Sequence, residues 1–185
     1  MLAPKPVVSI ENVVSTASVG QRINLLEITK RFPDAEYHPE KFPGLVFRLK
    51  SPKTATLVFS SGKMVCTGAK SEQQSISVVK TVVEQLRNKG IKIKSEPDVA
   101  IQNIVASVNL GSKVHLEPAA RSMPRSMYEP EQFPGLIHRM LDPKAVMLVF
   151  ASGKLVCAGT KKESEVYRAV HNLHAMLQEK GLMAG

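Results

Sequence analysis

Several residue types able to bind a polyanion occur twice in this chain, at matching places in two halves. Lys63 and Lys154, and Arg48 and Arg139, are cations able to hold phosphates. Phe42 and Phe133, with Phe59 and Phe150, are flat rings able to stack or wedge. Asn12 and Asn103 carry both a donor and an acceptor. Groups for catalysis are missing by comparison. His171 and His174 lack the acid of an HExxH helix, no Ser or Cys has a base nearby in sequence, and Gly62-Lys63 lacks the remainder of a phosphate loop. No cluster has metal-ligand spacing. The chemistry on offer is binding, and neither an enzyme, a cofactor nor a metal is expected.

These residues are positioned by an internal repeat. Tyr37 to Lys70 reads YHPEKFPGLVFRLKSPKTATLVFSSGKMVCTGAK, and Tyr128 to Lys161 reads YEPEQFPGLIHRMLDPKAVMLVFASGKLVCAGTK, with no insertion or deletion between them. Two copies of one unit related by a pseudo-two-fold axis are expected, covering residues 1–94, with a short unstructured lead at 1–6, and residues 95–185. Val7 to Val19 and Ala100 to Leu110 read as matching strands. A short helix follows Gly20, with Ile23, Leu26 and Lys30 on one face, and its copy is weakened by Pro118. Next come a short strand near Tyr37 and three antiparallel strands, Leu45 to Lys50, Thr54 to Ser60 and Lys63 to Ala69, joined by tight turns. Ser71 and Gln74 have capping-box spacing, opening a helix that buries Ile76, Val79, Val83 and Leu86. Val166, Ala169, Val170, Leu173 and Leu177 form the second copy of that stripe, and residues 91–98 join the halves.

With 43% hydrophobic and 22% charged residues in 185 positions, the chain can bury a core, and no stretch is apolar enough for a membrane span or a signal peptide. Cys66 and Cys157 fall at equivalent VCxG positions, which suits two buried packing sites rather than a disulfide. The net charge of +9 is uneven: residues 1–94 hold 15 basic and 7 acidic side chains, against 10 and 9 in the remainder. Such an excess suits nucleic acid, and a basic surface kept for solubility is the ordinary alternative.

The segments TATLVF and AVMLVF are apolar on both strand faces, so both faces of the sheet need cover. One long and one short helix per repeat cover only one. Alternation puts Met64, Cys66 and Gly68 on the core side, leaving Val65 and Thr67, Leu57 and Phe59, and Asn12 and Val14 on an open face flanked by Lys63, Lys70 and Arg48. An apolar floor, isolated small donors and a basic rim fit the DNA minor groove: phosphates at the rim, sugars and base edges on the floor, and the acceptors shared by A·T and T·A facing the donors.

The motifs Gln102-Asn103-Ile104-Val105, YEPEQFPGL at Tyr128 to Leu136 and SSGKMVCTGAK at Ser60 to Lys70 resemble the TATA-box-binding protein family, archaeal type, from about Val7 to Leu177. The resemblance implies an α+β fold: a saddle-shaped pseudo-two-fold repeat with a curved antiparallel sheet of about ten strands and helices on the convex face. It also implies a general transcription initiation factor that bends A·T-rich TATA-box promoter DNA through minor-groove phenylalanine insertion and recruits transcription factor B and RNA polymerase. Carried onto this sequence, Phe42 with Phe59 and Phe133 with Phe150 would intercalate, with Pro43 and Pro134 beside them. Asn12, Val14, Leu57, Val65 and Thr67, with Asn103, Val105, Leu148, Val156 and Ala158, would line the groove floor. Arg48, Ser61, Lys63 and Lys70, with Arg139, Ser152, Lys154 and Lys161, would meet phosphates, and Glu129 and Glu131 would dock transcription factor B. Ala158 departs from the threonine common in the family, and Lys41 faces Gln132, so the two halves would contact DNA unequally.

Each role has an ordinary alternative: rings anchored in a core, asparagines at an edge, lysines and glutamates simply solvated. A different class of protein is also open, an interaction module whose apolar sheet pairs with an inhibitor or with another copy of itself. The nucleic-acid-holding domain of a repair enzyme is less suited, because the repeats leave no room for a catalytic domain. The expected location is cytoplasmic and nucleoid-associated for an archaeal protein, nuclear for a eukaryotic one, with no membrane partner.

Overall fold

A computed structural model describes residues 4–184, so the first three residues of the expected lead lie outside the described residues. Residues 4–6 run into the first strand without regular structure. The chain forms two compact units, one spanning Asn12–Gln102 and the other made of the residues before and after that span.

In the unit Asn12–Gln102, the strands β1 (Val7–Ser18, here from Asn12), β2 (Leu45–Lys50), β3 (Lys53–Val58) and β4 (Lys63–Ala69) lie in the order β2-β3-β4-β1, with the expected antiparallel hairpins β2–β3 and β3–β4 and a further antiparallel pairing of β1 with β4. Two helices, α1 (Leu25–Arg31) and α2 (Glu72–Asn88), complete it. Helix α2 starts where the capping signal put it: Ser71 Oγ accepts from Gln74 N at 3.0 Å. Gln74 Oε1 reaches one residue further back than a standard box, accepting from Lys70 N at 2.7 Å. The buried stripe of α2 is wider than the spacing suggested, adding Ser75, Val78 and Val82 to Val79, Val83 and Leu86, while Ile76 sits half-buried at its margin. It packs on β3 and β4 over Val58, Met64 and Cys66. The α1 face is corrected: Leu25 and Ile28 are buried, Ile23 is buried just ahead of the helix, and Leu26 is 61% exposed. The cause is Asn24, whose Oδ1 accepts from Leu26 N and Glu27 N, so the helix begins later and its inward face rotates by one residue.

The other unit holds β5 (Asp98–Asn109, here from Asn103), α3 (Leu116–Ser122), β6 (Ser126–Met127), β7 (Leu136–Leu141), β8 (Lys144–Val149), β9 (Lys154–Thr160) and α4 (Glu163–Glu179). Its strands run β5-β9-β8-β7-β6. Pro118 falls in the first turn of α3, where an N–H would lack a helical partner anyway, so the helix forms despite it. All five apolar residues expected on the inner face of α4 are buried. The described residues contain nine strands rather than about ten. Near Tyr37 only the single bridge Glu36 to Val46 forms, between a turn closed by Ala35 N on Phe32 O and the following Pro39. In the second copy Arg125, at a left-handed φ of 55°, accepts from Arg139 N, and this brings Ser126 and Met127 into register with β7.

The two cores differ in polarity. Ser15, Thr56, Ser75 and Cys66 are all buried together, with Ser75 Oγ donating to Ser15 Oγ at 2.6 Å. Their counterparts Ala106, Met147, Val166 and Cys157 form an apolar set apart from the second thiol. His138, 1% exposed, stands in place of Phe47 and has Nδ1 2.9 Å from Ser126 Oγ. Burial, helped by the Arg125 charge, pushes its pKa below the usual histidine value, so the ring stays neutral.

Candidate nucleic-acid interface

The site is built on strand alternation. In β3 and β4 the core side takes Thr54, Thr56, Val58, Met64 and Cys66, all buried, while Leu57, Val65 and Thr67 stand half-buried on the other side. Pairing makes this one surface, since Leu57 lies opposite Val65 and Thr67 opposite Ala55. Asn12 and Val14 of β1 have the same parity and the same half-burial. The other unit repeats the arrangement with Asn103, Val105, Leu148, Val156 and Ala158, with Leu148 opposite Val156 and Ala158 opposite Val146. Six further open-face residues were absent from the sequence set: Thr16, Val46, Ala55, Ser107, Ile137 and Val146, each half-buried and paired to members of it. Extending the alternation along each strand would have found them.

The asparagines are held by a feature the strand pattern does not reveal. Between the pairs Val13–Ala69 and Ser15–Cys66, β4 carries one residue more than β1, a β-bulge. Gly68 occupies it at φ 99°, a conformation natural to glycine, and its N–H leaves the ladder. Asn12 Oδ1 takes that N–H at 2.7 Å. The other unit does the same: Gly159 sits at φ 88° in a bulge of β9, and its N–H donates to Asn103 Oδ1 at 2.8 Å. A backbone donor fixes which end of the amide is oxygen. Each asparagine therefore has its acceptor satisfied within the fold and its NH2 group left to donate.

At the ends of these surfaces stand two ring pairs. Phe42 and Phe59 meet edge to face with centroids 5.9 Å apart at 66°, and Phe133 and Phe150 do so at 5.9 Å and 62°. Phe42 is 42% exposed and Phe133 36%, while Phe59 and Phe150 are half-buried. The loops carrying the outer rings are closed by Phe42 N on His38 O and Phe133 N on Glu129 O, which leaves Pro43 and Pro134 exposed. Glu129 and Glu131 are exposed on the second of these loops.

The expected rim cations Lys63, Lys70, Lys154 and Lys161 are exposed, as is Arg139. Arg48 forms an ion pair with Glu36 at 3.2 Å, both side chains being more than half exposed. A pair so open to water contributes little to stability. Met127 takes the place of Glu36 in the second copy, so Arg139 lacks that carboxylate. Ser61 and Ser152 accept from Lys63 N and Lys154 N within their turns, so their hydroxyls shape the turn that presents each lysine. The cysteine thiols are buried at 0% exposure, and burial pushes the Cys157 pKa up to about 11, so they remain protonated and unreactive. Among the described residues no group of His, Cys, Asp and Glu could hold a metal ion, and no helix is long and apolar enough to cross a membrane.

The family model described as "Transcription factor TFIID (or TATA-binding protein, TBP)" matches residues 7–89 and again residues 98–180. The TATA-box-binding protein of Pyrodictium occultum is 53% identical over 176 residues, covering 95% of this chain and 88% of its own. That of Aeropyrum pernix is 50% identical over 182 residues, covering 98% and 90%. Among solved structures, Methanococcus jannaschii TBP superposes with a TM-score of 0.85 at 43% identity, covering 95% of this chain and 99% of that one. A twofold match to the family model, identities near half over almost the full length and a shared fold place this chain in the TATA-binding protein family.

Proposed function

We propose that this chain is a non-enzymatic transcription initiation factor that binds the minor groove of A·T-rich TATA-box promoter DNA and bends it. Family membership supports the DNA target. The observation carrying the minor-groove reading is the fixed amide polarity of Asn12 and Asn103, each donating outward from a half-exposed apolar surface. Every A·T or T·A pair presents only acceptors in the minor groove, whereas a G·C pair adds the guanine 2-amino donor. Two amides with only NH2 free donate to the first and clash with the second. Val14, Leu57 and Val65, with Val105, Leu148 and Val156, bury sugars and base edges, while Lys63, Lys70, Lys154, Lys161, Arg48 and Arg139 hold the phosphates. Thr67 adds a hydroxyl that Ala158 lacks, so central hydrogen bonding is stronger on one side.

Phe42 with Phe59 and Phe133 with Phe150 enter base steps at the ends of the contact, Pro43 and Pro134 lying alongside. The cost of unstacking is offset by the apolar area that the bent duplex buries. Glu129 and Glu131, exposed on the second loop where the first has His38 and Glu40, dock transcription factor B, and RNA polymerase is reached through it. The protein then acts at the nucleoid. When no DNA covers it, the same apolar face is where two copies would associate.

A Glu129→Arg/Glu131→Arg protein is expected to shift an A·T-rich promoter duplex in a gel as wild type does and to lose the further shift on adding factor B. Normal recruitment by that variant would remove the docking assignment; failure of wild type to select the A·T duplex would remove the function itself.

A further inference from the structure

Gly44 and Gly135 are buried while the Phe and Pro residues before them are exposed. Neither has the left-handed backbone that calls for glycine. A side chain is excluded by the rings instead. A Cβ on Gly44 would lie 2.6 Å from Phe42 Cε2 and 3.0 Å from Phe59 Cε1. On Gly135 it would lie 2.8 Å from Phe133 Cε2 and 3.1 Å from Phe150 Cε1, with the Val149 carbonyl oxygen next at 3.3 Å, so the rings are the nearest obstacles there too. Both units thus lay two rings against one bare stretch of backbone, in the same edge-to-face arrangement.

We propose that Gly44 and Gly135 are positioning residues, flat seats that hold each phenylalanine pair as a unit ready to enter a base step; this rests on the minor-groove reading above. The residue after each seat, Leu45 or Leu136, is 0% exposed and begins a strand, so the backbone cannot retreat from an added methyl. The outer rings have open space beside them and can. To regain ordinary carbon contact at about 3.5–4.0 Å, the outer ring must move roughly 1 Å and the inner ring about half as far, which breaks up the paired geometry with the larger shift on the exposed side. Encounter with DNA depends on charge and is untouched, whereas the locked complex depends on the wedge.

The test is Gly135→Ala in the full chain. Dissociation from an A·T-rich duplex is expected to be about tenfold faster with association nearly unchanged, and bending reduced. In the DNA-free protein the Phe133 and Phe150 ring resonances are expected to move while the unfolding midpoint stays at the wild-type value. Unmoved rings, wild-type dissociation and bending, or a lowered unfolding midpoint that accounts for the loss would each overturn the proposal. Wild type measured alongside separates the two readings: a wild type that does not bend the duplex fails the minor-groove reading and takes the purpose of the seat with it, while moved rings with a bending wild type and an unchanged complex fail the seat alone.

Discussion

A Phe133→Ala/Phe150→Ala protein is expected to bind an A·T-rich duplex about a hundredfold more weakly than wild type and to bend it about half as much. Two aromatic anchors fully desolvated between bases are worth ~2–3 kcal/mol each, or ~4–6 kcal/mol together. Part of that is offset because the variant no longer unstacks a step, which costs a few kcal/mol. About 3 kcal/mol is left, a little over two decades in affinity. Half the bend survives because Phe42 and Phe59 form a separate pair in the other unit. Most of any folding cost falls on half-buried Phe150, since Phe133 is 36% exposed and the edge-to-face contact contributes only ~0.5–1.5 kcal/mol, so the unfolding midpoint is read alongside. Fluorescence energy transfer across end-labelled duplexes reads affinity and bend in one titration, and a variant that bends DNA as wild type does would mean that these rings are not wedges.

The second large effect is expected from Asn12→Asp/Asn103→Asp. A carboxylate still accepts from Gly68 N–H or Gly159 N–H, so the bulges keep their partner and the unfolding midpoint is expected to stay close to wild type. What changes is the outward group: a donor is replaced by an oxygen bearing negative charge, facing base acceptors. Losing two hydrogen bonds and gaining two repulsions is expected to weaken A·T binding by at least about 10³-fold, on the scale of ~2 kcal/mol or more per site. Alanine is a poorer probe because it also removes the partner of a bulge N–H, a hydrogen bond worth ~0.5–1.5 kcal/mol of stability at each site. If the aspartate variant retained wild-type affinity, the amides would be structural caps for the bulges and nothing more.

Strand positions and faces were legible because a period of two is simple and hydrophobic contrast is strong. Leu45–Lys50 and Lys63–Ala69 fall where the sequence put them, and buried Met64 and Cys66 follow from alternation, but Gly68, expected with them, is half-buried in the bulge and Ala69 is buried instead. Short-range chemistry also read well, as the Ser71–Gln74 cap illustrates. Features set by register or by contacts distant in sequence did not. The α1 face depended on which residue caps the helix, and Asn24 moved the frame by one position. The bulges at Gly68 and Gly159 exist only relative to a partner strand, although a glycine inside a strand was a hint. The Arg48–Glu36 pair joins residues twelve apart across an edge, and the glycine seats depend on where two rings come to rest. The open face of each unit was therefore visible in the sequence; the polarity of its asparagines was not.

Replacing the A·T pairs of the box with inosine·cytosine pairs tests the central claim most directly. Inosine lacks the guanine 2-amino group, so such a duplex has the major groove of G·C and a minor groove free of donors, as in A·T. Binding to the inosine box is expected to lie within a few-fold of the A·T box, with the G·C box at least about a hundredfold weaker. An inosine box bound as poorly as G·C would place recognition in the major groove and contradict the account.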